Sequence, residues 1–148
     1  MKIAYQGIAG SYSESCAKEK YPNCETISCK TFDECFEKAD KDSSVKAIIP
    51  ESNKTTGNIG VEYLIFKYRL NIYAEHFFPI NHNLLGLPGS KISDIKDIYS
   101  HAQALSQSSN FIKKNNFNEN VRADTAGSAK YVSEAKEKSK GAIASKLS

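Results

Sequence analysis

Apolar residues in this chain follow two spacings in turn, and each change of spacing marks an element. Lys2–Gln6 reads as a strand, followed by a tight turn of small residues at Gly7, Ala9 and Gly10. Ser11-Tyr12-Ser13-Glu14 has the spacing of a helix start, and the helix should run to about Lys20 and end near Pro22. Glu25–Cys29 is a second strand. Thr31-Phe32-Asp33-Glu34 repeats the helix-start spacing, with Phe32, Cys35, Phe36 and Ala39 as an apolar stripe. Val45–Ile49 reads as a short buried strand that Pro50 stops, and 51–57 as a polar loop. A third helix should open at Asn58 or Gly60 and carry Leu64, Ile65 and Tyr68. Strand followed by helix, repeated, predicts a parallel sheet with helices on its faces.

The second half begins with a predicted strand at Asn71–Phe78, within a crossover over Ile72–Pro79. An extended run over Ile80–Leu87 and a turn at Pro88-Gly89 come next. Asp97–Ser100 then reads as a strand that runs directly into one helix from His101. Ala104, Leu105, Ser108, Phe111 and Ile112 recur on its apolar side. A strand is expected near Asn120–Ala123, then a helix capped by Asp124 or Thr125 with Ala129, Val132 and Ala135 on one side. Gly141–Ala144 is a last short strand, and Ser145–Ser148 resembles an opening helical turn. The expected organisation is two α/β lobes, residues 1–73 and 74–148. A chain that stops on an opening turn reads as part of a longer product.

Composition narrows this picture without redirecting it. The 148 residues are 40% apolar and 25% charged, ordinary for a globular chain, with a net charge of +3. All but Arg69 and Arg122 of the 20 basic residues are lysines spread along the chain, so nucleic acid is not an expected partner. No apolar run approaches membrane-spanning length and the N-terminus lacks the apolar core of a signal peptide, so a cytoplasmic protein is expected. Cys16, Cys24, Cys29 and Cys35 are separated by seven, four and five residues, none of them a short zinc-ribbon spacing. They read as free thiols, several of them packed in the core, and no metal site is expected.

Loop-to-helix junctions at Gly7–Ser11, Ser52–Gly57, Ser100–Gln103 and Asp124–Thr125 carry the candidate chemistry. Each follows a strand, and in open parallel sheets ligands bind beyond the carboxyl ends of strands. Free N–H groups and the helix dipole gather there. Two junctions fall in each half, so separate lobes would bring them face to face across a cleft. Such a site is rich in neutral donors and suits a small, multiply anionic ligand. Gln103 and Asn53 donate without carrying charge. Lys54 would steer anions or stand solvated. His101 is an acid–base candidate or a partner for backbone groups, whereas His76 and His82 read as structural.

Several stretches resemble one family in order and spacing: IAYQGIAGSYSE, IIPESNKTTGNI, PINHNLL, YSHAQALSQSSNFI, ADTAGSAKYV and GAIAS. Together they resemble the catalytic region of prephenate dehydratase. The resemblance implies a fold like the type II periplasmic binding proteins, with two α/β lobes, mainly parallel sheets and helices on both faces. It implies decarboxylative dehydration of prephenate to phenylpyruvate, a lyase reaction of phenylalanine biosynthesis, with no metal or organic cofactor. Arogenate is the related substrate in some members, and a homodimer is left open.

Carried over by position, the family's Pro-x-Glu-Asn-Ser loop falls on Pro50, Glu51, Ser52, Asn53 and Lys54, with Gly57 after it. Asn53 matches, while Ser52 and Lys54 depart from the family's glutamate and serine. Ser100, His101 and Gln103 match a Ser-His-Pro-Gln motif with Ala102 in place of proline. Asp124, Thr125 and Ala126 align with Ser-Thr-Ala. The family's Thr-Arg-Phe motif would lie beyond Ser148. The resemblance assigns Asn53, Gln103 and Thr125 to catalysis, and Ser11, Ser52, Lys54, Gly57, Ser100, His101, Asp124 and Ala126 to substrate binding. Gln103 and Thr125 would act from one lobe, Asn53 and Ser11 from the other. A non-catalytic anion-binding module and an inactive fragment are the competing readings.

Overall fold

A computed structural model describes residues 1–53 and 57–148. The chain divides into two compact units, Met1–Ile8 with Tyr12–Pro79, and Ala9–Ser11 with Ile80–Ser148.

In the first unit, strands β1 (Lys2–Gln6), β2 (Glu25–Cys29) and β3 (Val45–Ile48) form a parallel sheet in the order β2-β1-β3. Helices α1 (Tyr12–Lys20) and α2 (Phe32–Lys41) make the crossovers. The central strand buries Ile3, Ala4 and Tyr5 in succession, as a strand covered on both faces must. Ala4, Cys29, Cys35 and Val45 form one buried cluster, with Ile27, Ala47 and Ile49 packed on it. Strand β3 is at the sheet edge and turns Lys46 outward, so the expected fully buried strand is buried only at Val45. Thr31 Oγ1 accepts from the Glu34 N–H at 3.1 Å, the predicted cap. Glu34 returns its carboxylate to the Lys30 N–H at 2.7 Å, one residue before the cap, so both orphan donors are satisfied. On α1, Glu14 instead turns inward, accepting from Thr26 Oγ1 at 3.0 Å and Lys18 at 2.7 Å.

Ser52–Asn53 (β4) and Gly57–Asn58 (β5) pair antiparallel, so the predicted polar loop is a small hairpin. Helix α3 (Glu62–Tyr68) therefore starts later than Asn58 or Gly60. Asn58 is held in the hairpin, and Gly60 adopts φ +78, a left-handed conformation outside the helical region. Tyr68 stacks on Phe36 at 6.0 Å and donates to Asp33 at 2.9 Å, binding α3 to α2.

The strand expected over Asn71–Phe78 does not form. Residues 71–77 are exposed, and among the described residues none pairs with a strand. Alternating apolar residues become a strand only where they join a ladder, and this segment joins neither outer edge of the β2-β1-β3 sheet. Side chains hold the segment instead: His76 Nε2 meets Glu19 at 2.9 Å, Lys20 donates to the Glu75 carbonyl at 3.0 Å, and Lys46 stands over Tyr73 at 5.2 Å. These contacts keep 74–79 with the first unit, so the division falls after Pro79 rather than after Tyr73.

The second unit has a mixed sheet in the order β6-β9-β7-β8. Its strands are β6 (Asn83–Gly86), β7 (Asp97–Ser100), β8 (Asn118–Val121) and β9 (Lys140–Ala144). β9, β7 and β8 are parallel, and β6 runs antiparallel to β9. The turn at Pro88-Gly89 forms, closed by Ser90 N–H to Leu87 O at 2.9 Å. Ile95, Ile98, Ala104, Leu105, Ile112, Phe117 and Ile143 make the core, with Leu84 against it. Gly141 lets β9 lie under that core, since a Cβ there would stand 3.0 Å from Leu84 Cδ1 and 3.1 Å from Ile98 Cδ1.

The single helix expected after β7 is divided at Ser108 into α4 (Ala102–Gln107) and α5 (Ser109–Lys114). The Ser108 N–H is shared between the Ala104 and Leu105 carbonyls, a tightened turn that ends α4 while leaving Leu105 and Ile112 both buried. Helix α6 (Thr125–Ala135) buries Ala126, Ser128 and Val132, while Ala129 and Ala135 are half-buried. No helix of the described residues is long and apolar enough to cross a membrane.

Ile98 is fully buried at the centre of the second core. Ile98→Ala is expected to cost about 3 kcal/mol of that unit's stability in urea unfolding, and a loss below about 1 kcal/mol would contradict this packing. Burial pushes the Cys29 and Cys35 thiols up, and the two lie in one buried cluster. In the folded chain a disulfide reagent should therefore label the half-buried Cys16 and Cys24 first, and reach Cys29 and Cys35 only on denaturation.

Candidate active site

Because β7, β8 and β9 are parallel, their carboxyl ends share one edge of the second sheet. Residues Ser100–Gln103, Arg122–Thr125 and Ser145 follow directly from that edge. Hydroxyl groups bind the edge together. Ser100 Oγ donates to the Ile143 carbonyl at 2.5 Å, tying β7 to β9, and the Arg122 N–H donates to Ser100 O at 2.8 Å, tying β8 to β7. Ser145 Oγ donates to Gly10 O at 2.7 Å.

Ser100 is fully buried, and its hydroxyl holds the sheet. His101 is the N-cap of α4, its Nδ1 accepting from the Gln103 N–H at 3.3 Å. An accepting Nδ1 leaves the ring proton on Nε2, at the exposed end of the side chain. Gln103 lies in the first turn of α4 and is half-buried.

Asp124 caps α6: its Oδ1 accepts from the Gly127 N–H at 2.5 Å, and its carbonyl accepts from Ser128 Oγ at 2.7 Å. A Cβ on Gly127 would stand 2.9 Å from Asp124 Oδ2, so the glycine makes room for the carboxylate. One oxygen of the Asp124 carboxylate is thus engaged by its own helix, and the Ala126 side chain is buried in the core. What the cap leaves open is the first turn itself. Among the described residues the Thr125 and Ala126 N–H groups have no acceptor, and the Thr125 side chain is half-buried beside them.

A hollow of about 230 Å³ lies against this turn, lined by Val121, Arg122, Ala123, Asp124 and Gly127. Arg122 was not among the expected site residues. Its guanidinium stands 4.2 Å over the Tyr131 ring, which also meets Tyr99 at 4.9 Å. Burial, and then the Tyr131 hydroxyl, push the Tyr99 phenol up. The sequence signal was available, since Arg122 is an arginine in a chain that otherwise uses lysine almost throughout.

Ser11, expected on the first lobe, packs with the second unit because the Gly10 carbonyl is held there. Burial pushes the phenol of the adjacent Tyr12 up to about 12, so it stays a neutral donor. Asn53, Ser52 and Gly57 belong to the first unit, paired in the β4–β5 hairpin as Asn53 with Gly57 and Ser52 with Asn58. Asn53 is half-buried and Ser52 exposed. Lys54 lies outside the described residues. His82 Nε2 meets Gln107 Oε1 at 2.7 Å, consistent with the structural role read for it.

The family model described as prephenate dehydratase matches residues 3–148. The chain is 41% identical to arogenate dehydratase 2 of Petunia hybrida, and 40% identical to arogenate dehydratase/prephenate dehydratase 1, chloroplastic, of Arabidopsis thaliana. Each match covers 98% of this chain and 37% of the relative, so the chain spans little more than a third of these proteins. A solved structure titled as a novel type of quorum quenching acylase, GqqA, superposes with TM-score 0.91 at 33% identity, covering 99% of this chain and 54% of that one. Prephenate dehydratase from Arthrobacter aurescens, solved with L-Phe, superposes with TM-score 0.88 at 23% identity, covering 99% and 50%, and shares the fold.

The cap predicts a graded result. Asp124→Ala is expected to destabilise the second unit by about 1 kcal/mol in urea unfolding, and Asp124→Asn by well under half of that, because asparagine also caps. Equal losses in the two variants would contradict the cap.

Proposed function

The chain belongs to the prephenate dehydratase family, and on that premise we propose that it serves the decarboxylative dehydration of prephenate to phenylpyruvate. The observation that carries the reading is the shared edge of the second sheet, where Gln103 and the open first turn of α6 follow from adjacent parallel strands. Prephenate carries two carboxylates and a ring hydroxyl. As the ring carboxylate leaves as carbon dioxide, its bonding pair moves into the ring and the C–O bond to the hydroxyl breaks. The departing oxygen takes a proton and leaves as water, and the ring becomes aromatic. The protein has to hold both carboxylates, orient the ring and donate to the departing oxygen.

Neutral, fixed donors suit that task, since they stabilise developing charge without reorganising. Gln103 and Thr125 serve as the donors from the second unit, to which Ser11 also belongs, with the α6 N–H groups receiving a carboxylate. The family resemblance assigns Asn53, Ser52, Lys54 and Gly57 to the same task, of which Ser52, Asn53 and Gly57 are in the β4–β5 pair of the first unit. Arogenate is the second reading, favoured by the names of the plant relatives. It carries an ammonium where prephenate carries a keto oxygen. The free thiols of Cys16, Cys24, Cys29 and Cys35 support a reducing compartment, the cytoplasm in this reading.

Phenylpyruvate release from prephenate, compared with phenylalanine release from arogenate, tests both readings. Gln103→Ala and Thr125→Ala are each expected to lower kcat/KM about a hundredfold, the usual worth of one preorganised donor. Unchanged kcat/KM in both variants would remove these residues from the reaction, and binding without turnover would favour the anion-binding module.

A further inference from the structure

The segment Ala9–Ser11 lies between β1 and α1 in the chain, yet it packs with the second unit. Its anchor is the Gly10 carbonyl, which accepts from Ser145 Oγ at 2.7 Å and from Ser148 Oγ at 2.9 Å. The two hydroxyl oxygens stand 2.9 Å apart, and Ser145 Oγ also accepts from the Leu147 N–H at 3.2 Å. Ser145 is only 3% exposed, so its proton must find an acceptor inside the protein, and Gly10 O is the shorter of the two contacts it makes, at 2.7 Å against 2.9 Å to Ser148 Oγ. The backbone fits closely. Gly10 has φ +86, and a Cβ there would stand 2.7 Å from Ser148 Cα and 3.0 Å from Leu147 O. Both are backbone atoms, which cannot rotate aside as a side chain would.

Ser145 directly follows β9, so its hydroxyl sits at the carboxyl edge from which Gln103 and Thr125 also follow. Ser11 directly follows the carbonyl that the hydroxyl grips. We propose that Ser145 is a positioning residue: by fixing the Gly10 carbonyl to the end of β9, it sets Ser11 at the substrate-binding edge of the second sheet. Ser148 adds a second hydroxyl to the same carbonyl, and Gly10 is the residue that permits the approach. The substrate part of this proposal rests on the dehydratase reading, whereas the anchoring part does not.

Hydrogen–deuterium exchange of the 7–13 segment, with β7 and β9 as internal controls, reads the anchor; calorimetric titration with prephenate reads its consequence. Ser145→Ala is expected to speed exchange of the segment and weaken prephenate binding, each about tenfold, while Ser145→Thr keeps both within about threefold of the parent. Unchanged exchange in Ser145→Ala overturns the proposal. So does faster exchange with unchanged prephenate affinity, since the anchor would then hold the chain without serving the site. If Ser145→Ala also speeds exchange in β7 and β9, the unit itself is loosened, and Ser148→Ala becomes the deciding variant under the same two criteria. An unsubstituted chain that binds no prephenate counts against the dehydratase reading alone, and the exchange comparison then decides whether Ser145 anchors Ser11.

Discussion

A hydroxyl taken out of water has to donate to something, and the second unit is built on that requirement. Ser100, Ser128 and Ser145 are buried where strands end and a helix starts, and each donates to a backbone carbonyl: Ile143, Asp124 and Gly10. An unmade hydrogen bond at such a position costs about 1–3 kcal/mol, so these serines fix the spacing of the backbone they hold. The outcome is an edge whose strand ends are locked together from within. Whatever binds there meets donors whose positions are already set.

That rigidity separates two kinds of polar residue that look alike in a sequence. Ser100, His101 and Gln103 stand within four consecutive positions, yet their groups face different tasks. The Ser100 hydroxyl ties β7 to β9, His101 Nδ1 caps α4, and the Gln103 amide lies in the first helical turn. Asp124, Thr125 and Ala126 divide in the same way into cap, open donor and core. Preorganised donors are effective because neighbouring groups bear the cost of orienting them before the ligand arrives. Residues that supply that orientation are as necessary as those that touch the ligand.

Much of the fold was legible from residue pattern. β1, β2 and β7 lie where spacing placed them, as do the caps at Thr31 and Asp124, because these are local: a few residues decide them. Failures occurred where a partner decides. Residues 71–78 have strand-like composition but pair with no strand among the described residues, and side-chain contacts to α1 and β3 hold part of the segment instead. The polar loop before α3 became a hairpin once Ser52 and Asn58 met. Arg122 is a rare arginine in the sequence, but its place in the site comes from the Tyr131 ring beneath it and the hollow beside it.

By itself the sequence determined the alternation of strands and helices, the places where helices begin, and the motifs that resemble one family. These follow from spacing, capping and turn chemistry, which act over a few neighbouring residues. Only the tertiary structure decided which hydroxyls face inward, that the 9–11 segment joins the second unit, and that Ser145 reaches back to Gly10. Those outcomes depend on groups far apart in the chain meeting at one point, where burial forces a buried donor to find an acceptor. No local pattern encodes that meeting.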